Sequence, residues 1–261
     1  MANALHIARS GLEALDAKLR TISNNLANAN TVGFKRDRAA FETLMYQTER
    51  PAGAPAGADS RFGMGLSTGA GVRVAGTERV HAQGGINITG NALDIAIEGD
   101  GLFEVTLPDG RAAYTRAGAF TKNAEGQLVT PQGYPLAPGI EIPEGATEIT
   151  IGPDGTVSAM MPGETASTDL GRLTLSGFIN PAGLEPAGNN LYLESAASGA
   201  PLQGNPGENG LGSIRQGALE ASNVSSVQEL VDMIETQRSY EVNSKVLSAA
   251  DEMMRYVNQA V

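Results

Sequence analysis

The residues best placed to supply a catalytic nucleophile are Gly65-Leu66-Ser67-Thr68-Gly69, which match the G-x-S-x-G pattern of serine hydrolases. That chemistry needs a strand before the serine, a helix after it, and an acid and a histidine downstream. Here a Pro- and Gly-rich segment precedes the serine, and no Asp separates it from His81, the one downstream histidine. A serine hydrolase is therefore the weakest hypothesis, and a Ser67→Ala variant assayed on a generic ester would test it.

Metal and phosphate chemistry has even less support. The chain has no cysteine and two histidines, His6 and His81, which fall in different predicted elements. Thiolate sites are thus excluded, and a two-histidine zinc site is not expected. The acidic residues between positions 94 and 104 lack the spacing of a calcium loop, and no Lys or helix follows the turn at residues 99–101. We expect no enzyme, no cofactor and no metal.

The composition also limits the class of partner. A net charge of −11 argues against nucleic acid, because phosphates are bound by clustered Lys and Arg. No segment is apolar enough to suggest membrane insertion, and the N-terminus lacks the apolar core of a secretory signal peptide. We therefore expect any export to follow a route that cleaves no signal. The 33 glycines and the low aromatic content of 5% are typical of short strands and many turns.

The N-terminal segment must pack lengthwise against another helix. Its apolar residues recur at alternating intervals of three and four, which is the a/d pattern of a heptad seam. They are Leu5, Ala8, Leu12, Leu15, Leu19, Ile22 and Leu26. Gly11 within this helix costs about 1 kcal/mol relative to Ala, which a close helix–helix contact would offset.

The C-terminal segment is predicted to be the partner. Residues 225–261 contain neither Gly nor Pro, and a heptad series is formed by Met233, Tyr240, Leu247 and Met254, with Leu230, Ala250 and Val257 beside it. The two terminal helices are predicted to pair as a coiled coil. We expect both to be largely unfolded in the monomer, since each seam lacks a partner until neighbours arrive.

The middle of the chain is predicted to be mainly β, which makes the fold class α+β. Short apolar runs separated by Pro-x-Gly and Glu-Gly turns suggest hairpins in a small antiparallel sandwich or barrel. Residues 34–47 are predicted to hold a further helical turn, and the flanks 72–95 and 197–224 to pair with each other or with the helices. The predicted organisation is a discontinuous helical core (1–45 with 221–261), an extended Gly/Pro-rich arm (46–71), a β-rich connecting region (72–95 with 197–220) and an outer β domain (96–196).

Both ends of the chain closely resemble the bacterial flagellar axial family of rod and hook proteins. At the N-terminus the resemblance is carried by Ser10-Gly11-Leu12, Asn24-Asn25-Leu26-Ala27-Asn28, Thr31, Gly33, Phe34 and Lys35. At the C-terminus it is carried by Gly217-Ala218-Leu219-Glu220, Ser222-Asn223-Val224, Glu229-Leu230-Val231, Met233-Ile234, Gln237-Arg238, Tyr240-Glu241 and Asn243-Ser244-Lys245. In the middle, Tyr114-Thr115-Arg116 and the run from Ile97 to Val105 are similar to the β domain of that family. Chain length and the segment beginning Tyr46-Gln47-Thr48 are most similar to the distal rod branch, with the proximal rod and hook branches as alternatives.

The resemblance implies a structural role. It implies a self-assembling subunit of a rigid helical tube, exported through the flagellar type III apparatus. The paired terminal helices would line the tube and the β domain would form its outer wall. The implied partners are further copies of the chain, the other rod proteins below, the hook protein above and the surrounding ring bushing. The tube would cross the periplasm and transmit motor torque to the hook.

Two sets of residues are assigned from the resemblance together with the seams. The predicted self-assembly interface comprises Leu5, Leu12, Leu15, Leu19, Ile22, Asn24, Asn25, Leu26, Asn28, Phe34, Leu230, Met233, Ile234, Gln237, Arg238, Tyr240, Leu247 and Met254. Among these, the three asparagines are expected to make lateral hydrogen bonds between subunits. The predicted arm that stiffens the rod comprises Tyr46, Gln47, Thr48, Pro51, Pro55 and Phe62.

An alternative from a different class is a cell-wall or carbohydrate-binding β module carried on a helical oligomerisation stalk. It would form a closed oligomer and present an aromatic platform on its β domain. Phe103, Tyr114, Phe120 and Tyr134 are few and scattered, so the sequence favours the axial subunit.

Overall fold

The computed structural model describes residues 2–55, 61–163 and 167–259, which fall into two compact units. Unit 1 comprises Met1–Ala27, Asp37–Glu78 and Ser225–Val261. Unit 2 comprises Asn28–Arg36 and Arg79–Val224. The α+β class is confirmed, with a helix at each end and a mainly β middle.

Unit 1 is built on two long helices, α1 (Ala2–Ala27) and α2 (Ser226–Gln259). They run antiparallel, because Gly11 of α1 lies against Asn243 of α2 while Asn25 contacts Glu229. A Cβ atom on Gly11 would lie 3.3 Å from Asn243 Nδ2, so the glycine permits the close approach expected from the sequence. Neither helix combines the length and apolar character needed to cross a bilayer, as far as the described residues extend.

Four strands complete unit 1. β1 (Asp37–Thr43) pairs with β4 (Val72–Arg79), and β2 (Gln47–Arg50) pairs antiparallel with β3 (Leu66–Thr68). The helical turn predicted between residues 34 and 47 is therefore wrong. Its isolated apolar side chains fit a helix by periodicity, but the pairing with β4 and the hydrogen bonds from the Asn25 side chain of α1 favour a strand.

Unit 2 is an assembly of short antiparallel strands. In chain order they are β5 (Ile86–Ile88), β6 (Ile95–Glu98), β7 (Phe103–Thr106), β8 (Ala112–Thr115), β9 (Thr121–Lys122), β10 (Leu128–Val129), β11 (Leu136–Ala137), β12 (Glu148–Ile151), β13 (Thr156–Met160), β14 (Thr168–Arg172), β15 (Leu175–Gly177), β16 (Glu185–Gly188), β17 (Leu191–Leu193), β18 (Leu202–Gly204), β19 (Ser213–Gln216) and β20 (Ala218–Glu220). The largest sheet has the order β11-β7-β8-β17-β16, and β12-β13-β14 form a three-stranded sheet. β5 pairs antiparallel with β20, and β6 pairs antiparallel with β19.

The core of unit 2 lies beneath these sheets. Phe103 and Phe120 meet edge to face, with ring centroids 5.2 Å apart, among buried aliphatic side chains such as Ile95 and Leu175. Gly118 lies so close to β6 that a Cβ atom would fall 1.6 Å from the Ile95 carbonyl oxygen. Since Phe103, Tyr114 and Phe120 are all buried, they cannot form the surface platform that a carbohydrate-binding module requires.

Candidate assembly surface and the buried polar clusters

The contact between α1 and α2 combines apolar residues from one helix with polar residues from the other. On α1, Ile22 is buried and Leu5, Leu12, Leu15, Leu19 and Leu26 are half-buried. On α2, Glu229 and Thr236 are buried, while Met233 and Leu247 are half-buried. The α2 side of the contact therefore runs through positions 229, 233, 236, 243 and 247, again at intervals of three, four and seven.

The placement of Leu230 beside the α2 seam is wrong. Leu230 is exposed, and its neighbour Glu229 occupies the inward position. Polar residues can be buried here because their hydrogen bonds are satisfied. Thr236 Oγ1 donates to the Asp232 carbonyl at 2.6 Å, and Glu229 accepts from Asn25. A search for apolar periodicity does not find buried polar positions such as these.

Asn25 is the centre of this polar contact, with 1% of its surface exposed. Its Nδ2 donates to the Asp37 carbonyl at 2.8 Å and to Glu229 Oε2 at 3.2 Å. Its Oδ1 accepts from the Asp37 amide at 2.9 Å. One side chain thus ties the end of α1 to the start of both β1 and α2, which corrects the assignment of Asn25 to lateral contacts between subunits.

The remaining predicted interface residues are distributed between the surface and the interior. Asn24, Ile234, Gln237, Arg238 and Tyr240 are exposed. Asn28 is half-buried and accepts a hydrogen bond from the Thr31 hydroxyl, and Phe34 is buried within unit 2. The side chain of Met254 lies outside the described residues. For the exposed residues the interface assignment stays a prediction.

A second face of α2 is apolar and open to solvent. Seven large side chains on this face, the apolar stripe, are between 44 and 74% exposed: Val227, Val231, Ile234, Val242, Val246, Met253 and Tyr256. At about 100° per residue, the stripe lies roughly half a turn around the helix from the positions that contact α1. Exposed apolar side chains concentrated on one helix face, here interspersed with the exposed Arg238 and Lys245, make this face a candidate interaction surface. Of the seven members, Ile234 is the one that the sequence analysis assigned to the self-assembly interface.

The predicted arm contains a β-hairpin. The Leu44 amide donates to the Gly71 carbonyl at its base, and beyond β2 and β3 the Phe62 amide donates to the Ala54 carbonyl at 2.9 Å. The Arg50 guanidinium lies 3.8 Å from the centre of the half-buried Phe62 ring. Tyr46, Gln47, Thr48, Pro51 and Pro55 are exposed. Residues 56–60 of the arm lie outside the described residues.

Ser67 does not occupy a nucleophile elbow. It lies within β3 and is exposed, and the next element along the chain is β4 rather than a helix. Within the described ranges, no group of three or more His, Asp or Glu residues is arranged to hold a metal ion.

Unit 2 contains a buried ion cluster that the sequence analysis did not identify as a site. Glu220 lies between two cations: its Oε1 accepts from Lys35 Nζ at 2.7 Å, and its Oε2 accepts from Arg116 Nε. All three side chains are at most about one-twentieth exposed. The Gly84 amide also donates to Oε1 at 2.8 Å, so both carboxylate oxygens are fully engaged.

The cluster is further fixed by main-chain carbonyls. Lys35 donates to the Ala82 carbonyl at 2.8 Å, and Arg116 donates to the carbonyls of Ile97 at 2.9 Å and Gly99 at 2.6 Å. Burial on its own raises the pKa of Glu220, but the Arg116 charge and the hydrogen bonds from Gly84, Lys35 and Arg116 outweigh it. The pKa of Glu220 is consequently below its ordinary value, and the carboxylate is ionised at neutral pH.

The cluster joins segments that are distant in sequence. Lys35 follows the first turn after α1, Arg116 follows β8, and Glu220 ends β20. A buried charge that loses its partner costs 3–5 kcal/mol or so, so the three segments must be present together for unit 2 to be stable.

Comparison with known families matches the same three segments. Residues 5–35 match the model of the flagella basal body rod protein, residues 96–159 that of the flagellar hook protein FlgE/F/G D1 domain, and residues 215–260 that of the flagellar basal body rod FlgEFG protein C-terminal region. Lys35, Arg116 and Glu220 lie one in each matched segment.

Individual relatives match over almost the whole chain. The flagellar basal-body rod protein FlgG of Buchnera aphidicola subsp. Acyrthosiphon pisum is 48% identical over 259 residues, which cover 99% of this chain and 100% of the relative. In Caulobacter vibrioides, FlgG is 46% identical and FlgF is 36% identical, each over 98% of this chain and 98% and 96% of the relative respectively. The chain therefore belongs to the family of flagellar basal-body rod proteins and is most similar to its FlgG members.

Proposed function

We propose that this protein is a structural subunit of the distal rod of the bacterial flagellum, self-assembling into a helical tube that carries motor torque to the hook. The observation that carries the proposal is the apolar stripe of α2, which faces away from α1. Membership in the FlgG family supplies the identity of the assembly. It also favours a structural role over catalysis.

In this proposal the stripe docks onto a different surface of the next copy of the chain. A surface that docks onto a different surface of the next copy makes a head-to-tail interface, and such an interface generates a helix when it does not close. In this proposal α1 and α2 pair as a coiled coil along the inside of the tube. Unit 2 folds as a small antiparallel sandwich and forms the outer wall.

The segment of residues 46–66, which contains β2 and the first residue of β3, is the proposed stiffening element. It would reach onto neighbouring subunits and oppose the sliding of protofilaments past each other. Deleting residues 46–66 should leave assembly intact and give a bendable rod, measured as a shorter persistence length in electron micrographs. A deletion variant whose rods stay as straight as the wild type would contradict this role.

The proposed partners, location and export route are inferred from the membership in the flagellar rod family. The proposed partners are other rod proteins below the polymer, the hook protein above it and the ring bushing around it. The location is the basal body, where the rod crosses the periplasm. The proposed route of delivery is the flagellar type III export apparatus.

Charge placed on the apolar stripe tests the proposal. Burying one Ile side chain stabilises an interface by about 1.5–3 kcal/mol. Ile234→Glu should therefore raise the concentration needed for polymerisation at least tenfold, measured by sedimentation of purified protein. Ser248→Glu adds the same charge to an exposed position of α2 off the stripe and should change that concentration less than threefold. Equal effects of the two substitutions would remove the stripe from the interface.

A further inference from the structure

A cavity of about 630 Å³ opens within unit 2 beside the Lys35–Arg116–Glu220 cluster. Its polar lining comprises Lys35, His81, Asp100, Arg116, Ser176, Gln203 and Asn209, and apolar side chains such as Leu102 and Phe178 form the rest of its walls. The interior surface therefore suits an occupant with an apolar body and a polar tip.

His81 supplies an unused hydrogen-bond acceptor in this lining. Burial, with the charges of Lys35, Arg79 and Arg116, lowers the pKa of His81 to about 4, so the ring is neutral at pH 7. One ring nitrogen donates to the Pro181 carbonyl, and Nε2 is shielded from solvent with no partner among the described residues. Leaving a shielded hydrogen-bond acceptor without a donor costs desolvation free energy. A hydroxyl is one group that can supply the donor.

Lys35 supplies an unused donor close by. Its ammonium group has three hydrogens. Two acceptors lie within reach among the described residues, Glu220 Oε1 and the Ala82 carbonyl. A hydroxyl group can accept from such an ammonium and donate to a neutral imidazole at the same time.

Two of the apolar side chains that line the cavity are exposed to solvent. They are Ile179 and Leu202, and 83% and 60% of their respective surfaces are exposed. Both are large aliphatic side chains whose exposure is a cost for an isolated subunit. A partner that covers them on entering the cavity would remove that cost.

We propose that this cavity is a socket for Tyr46 from a second copy of the chain. The inference rests on the proposed polymer and names the place where the arm of one subunit meets its neighbour. In this arrangement the Tyr46 ring packs between Phe178 and Leu202. Its hydroxyl accepts from Lys35 and donates to His81 Nε2.

Tyr46 is selected from the six tyrosines by exposure and position. Tyr114, Tyr134 and Tyr192 are buried or half-buried within unit 2. Tyr240 and Tyr256 are exposed but lie along α2, where a helix about 10 Å wide would have to enter with the side chain. Tyr46 is 62% exposed at the corner between β1 and β2, beside the still more exposed Met45, so a narrow loop carries it.

Because the native chain has no cysteine, disulfide cross-linking can locate this contact. Tyr46→Cys and Leu202→Cys would be made in separate chains, mixed, polymerised and oxidised. A disulfide between the two chains is expected in the polymer and not in dilute monomer, since the bond requires Cβ atoms roughly 4 Å apart. The matched control pairs Tyr46→Cys with Ile88→Cys, an aliphatic position on β5 that is 76% exposed and does not line the cavity, and should give no cross-link.

The possible outcomes distinguish a failure of the socket proposal from a failure of the proposed polymer. Filaments that form but cross-link no better through Leu202→Cys than through Ile88→Cys would overturn the socket and leave the proposed function standing. Unsubstituted chain that forms no filament at any concentration would overturn both. The hydroxyl has its own test: Tyr46→Phe should raise the polymerisation concentration about three- to tenfold, the equivalent of one buried hydrogen bond, and an unchanged value would contradict the role given to His81.

Discussion

Replacing Glu220 with Gln should destabilise unit 2 far more than any change to an exposed ion pair. Gln keeps the size and shape of the side chain and removes its charge. Lys35 and Arg116 would then remain buried, with two positive charges and no counter-charge between them. The comparison therefore isolates the electrostatic role of the carboxylate.

The expected magnitude follows from the burial of the cluster. At an effective dielectric constant of about 20, a contact ion pair is worth around 4 kcal/mol, and breaking a buried pair costs about 3–5 kcal/mol. With a urea dependence of about 2 kcal/mol per molar, a loss of 4 kcal/mol lowers the unfolding midpoint by about 2 M.

The assay can use the tyrosines of unit 2. The chain has no tryptophan, and Tyr114 and Tyr192 are both buried, so near-ultraviolet circular dichroism reports on their packing during urea unfolding. The matched control is Glu98→Gln, which breaks a 2.8 Å pair with Arg215 in which both side chains are over two-fifths exposed. That change should cost less than about 1 kcal/mol. If the Glu220→Gln and Glu98→Gln midpoints coincide, the cluster does not hold unit 2 together.

Three further predictions concern other positions. Asn25→Ala removes three hydrogen bonds and should destabilise unit 1 by about 2–4 kcal/mol in urea unfolding, while Ser23→Ala at a nearby exposed position of α1 should cost less than about 0.5 kcal/mol; similar values for the two would refute the inward role of Asn25. Gly118→Ala would place a Cβ atom 1.6 Å from a carbonyl oxygen and should prevent β6 from forming its native pairing, whereas Gly139→Ala meets nothing within 4 Å and should leave the thermal midpoint within a few degrees. The pKa of His81 is lower in the folded state than in the unfolded chain, so the stability that depends on the neutral ring is fully present above pH 6.5 and is lost as the pH falls toward 4, by up to about 3 kcal/mol. The loss of stability in acid, measured by thermal unfolding, should therefore be smaller in His81→Gln than in the wild type. An identical pH profile of stability in the two proteins would contradict the lowered pKa of His81.

The helices could be predicted from the sequence because their signal is local. The α1 series from Leu5 to Leu26 repeats with helical spacing, and its inward face is the one the spacing indicates. On α2 the same method chose Leu230 over Glu229. It ranks positions by apolar character, and a buried carboxylate held by an asparagine on the other helix gives no periodic signal.

The strand β1 and the ion cluster could not be predicted because their partners are far away in sequence. Strand formation at Asp37 depends on Asn25 and on β4, which begins at Val72. Glu220 meets Lys35 across 185 positions and Arg116 across 104. All three charged residues were among those that carried the family resemblance, which was the one available signal, and nothing in that resemblance said that they touch.

Electron microscopy of the purified, concentrated chain, with helical reconstruction of any polymer, tests the central claim most directly. The proposed function predicts open-ended filaments that lengthen with protein concentration and in which Ile234 and the rest of the apolar stripe are buried between copies. A discrete closed oligomer, or filaments in which the stripe remains exposed to solvent, would contradict it.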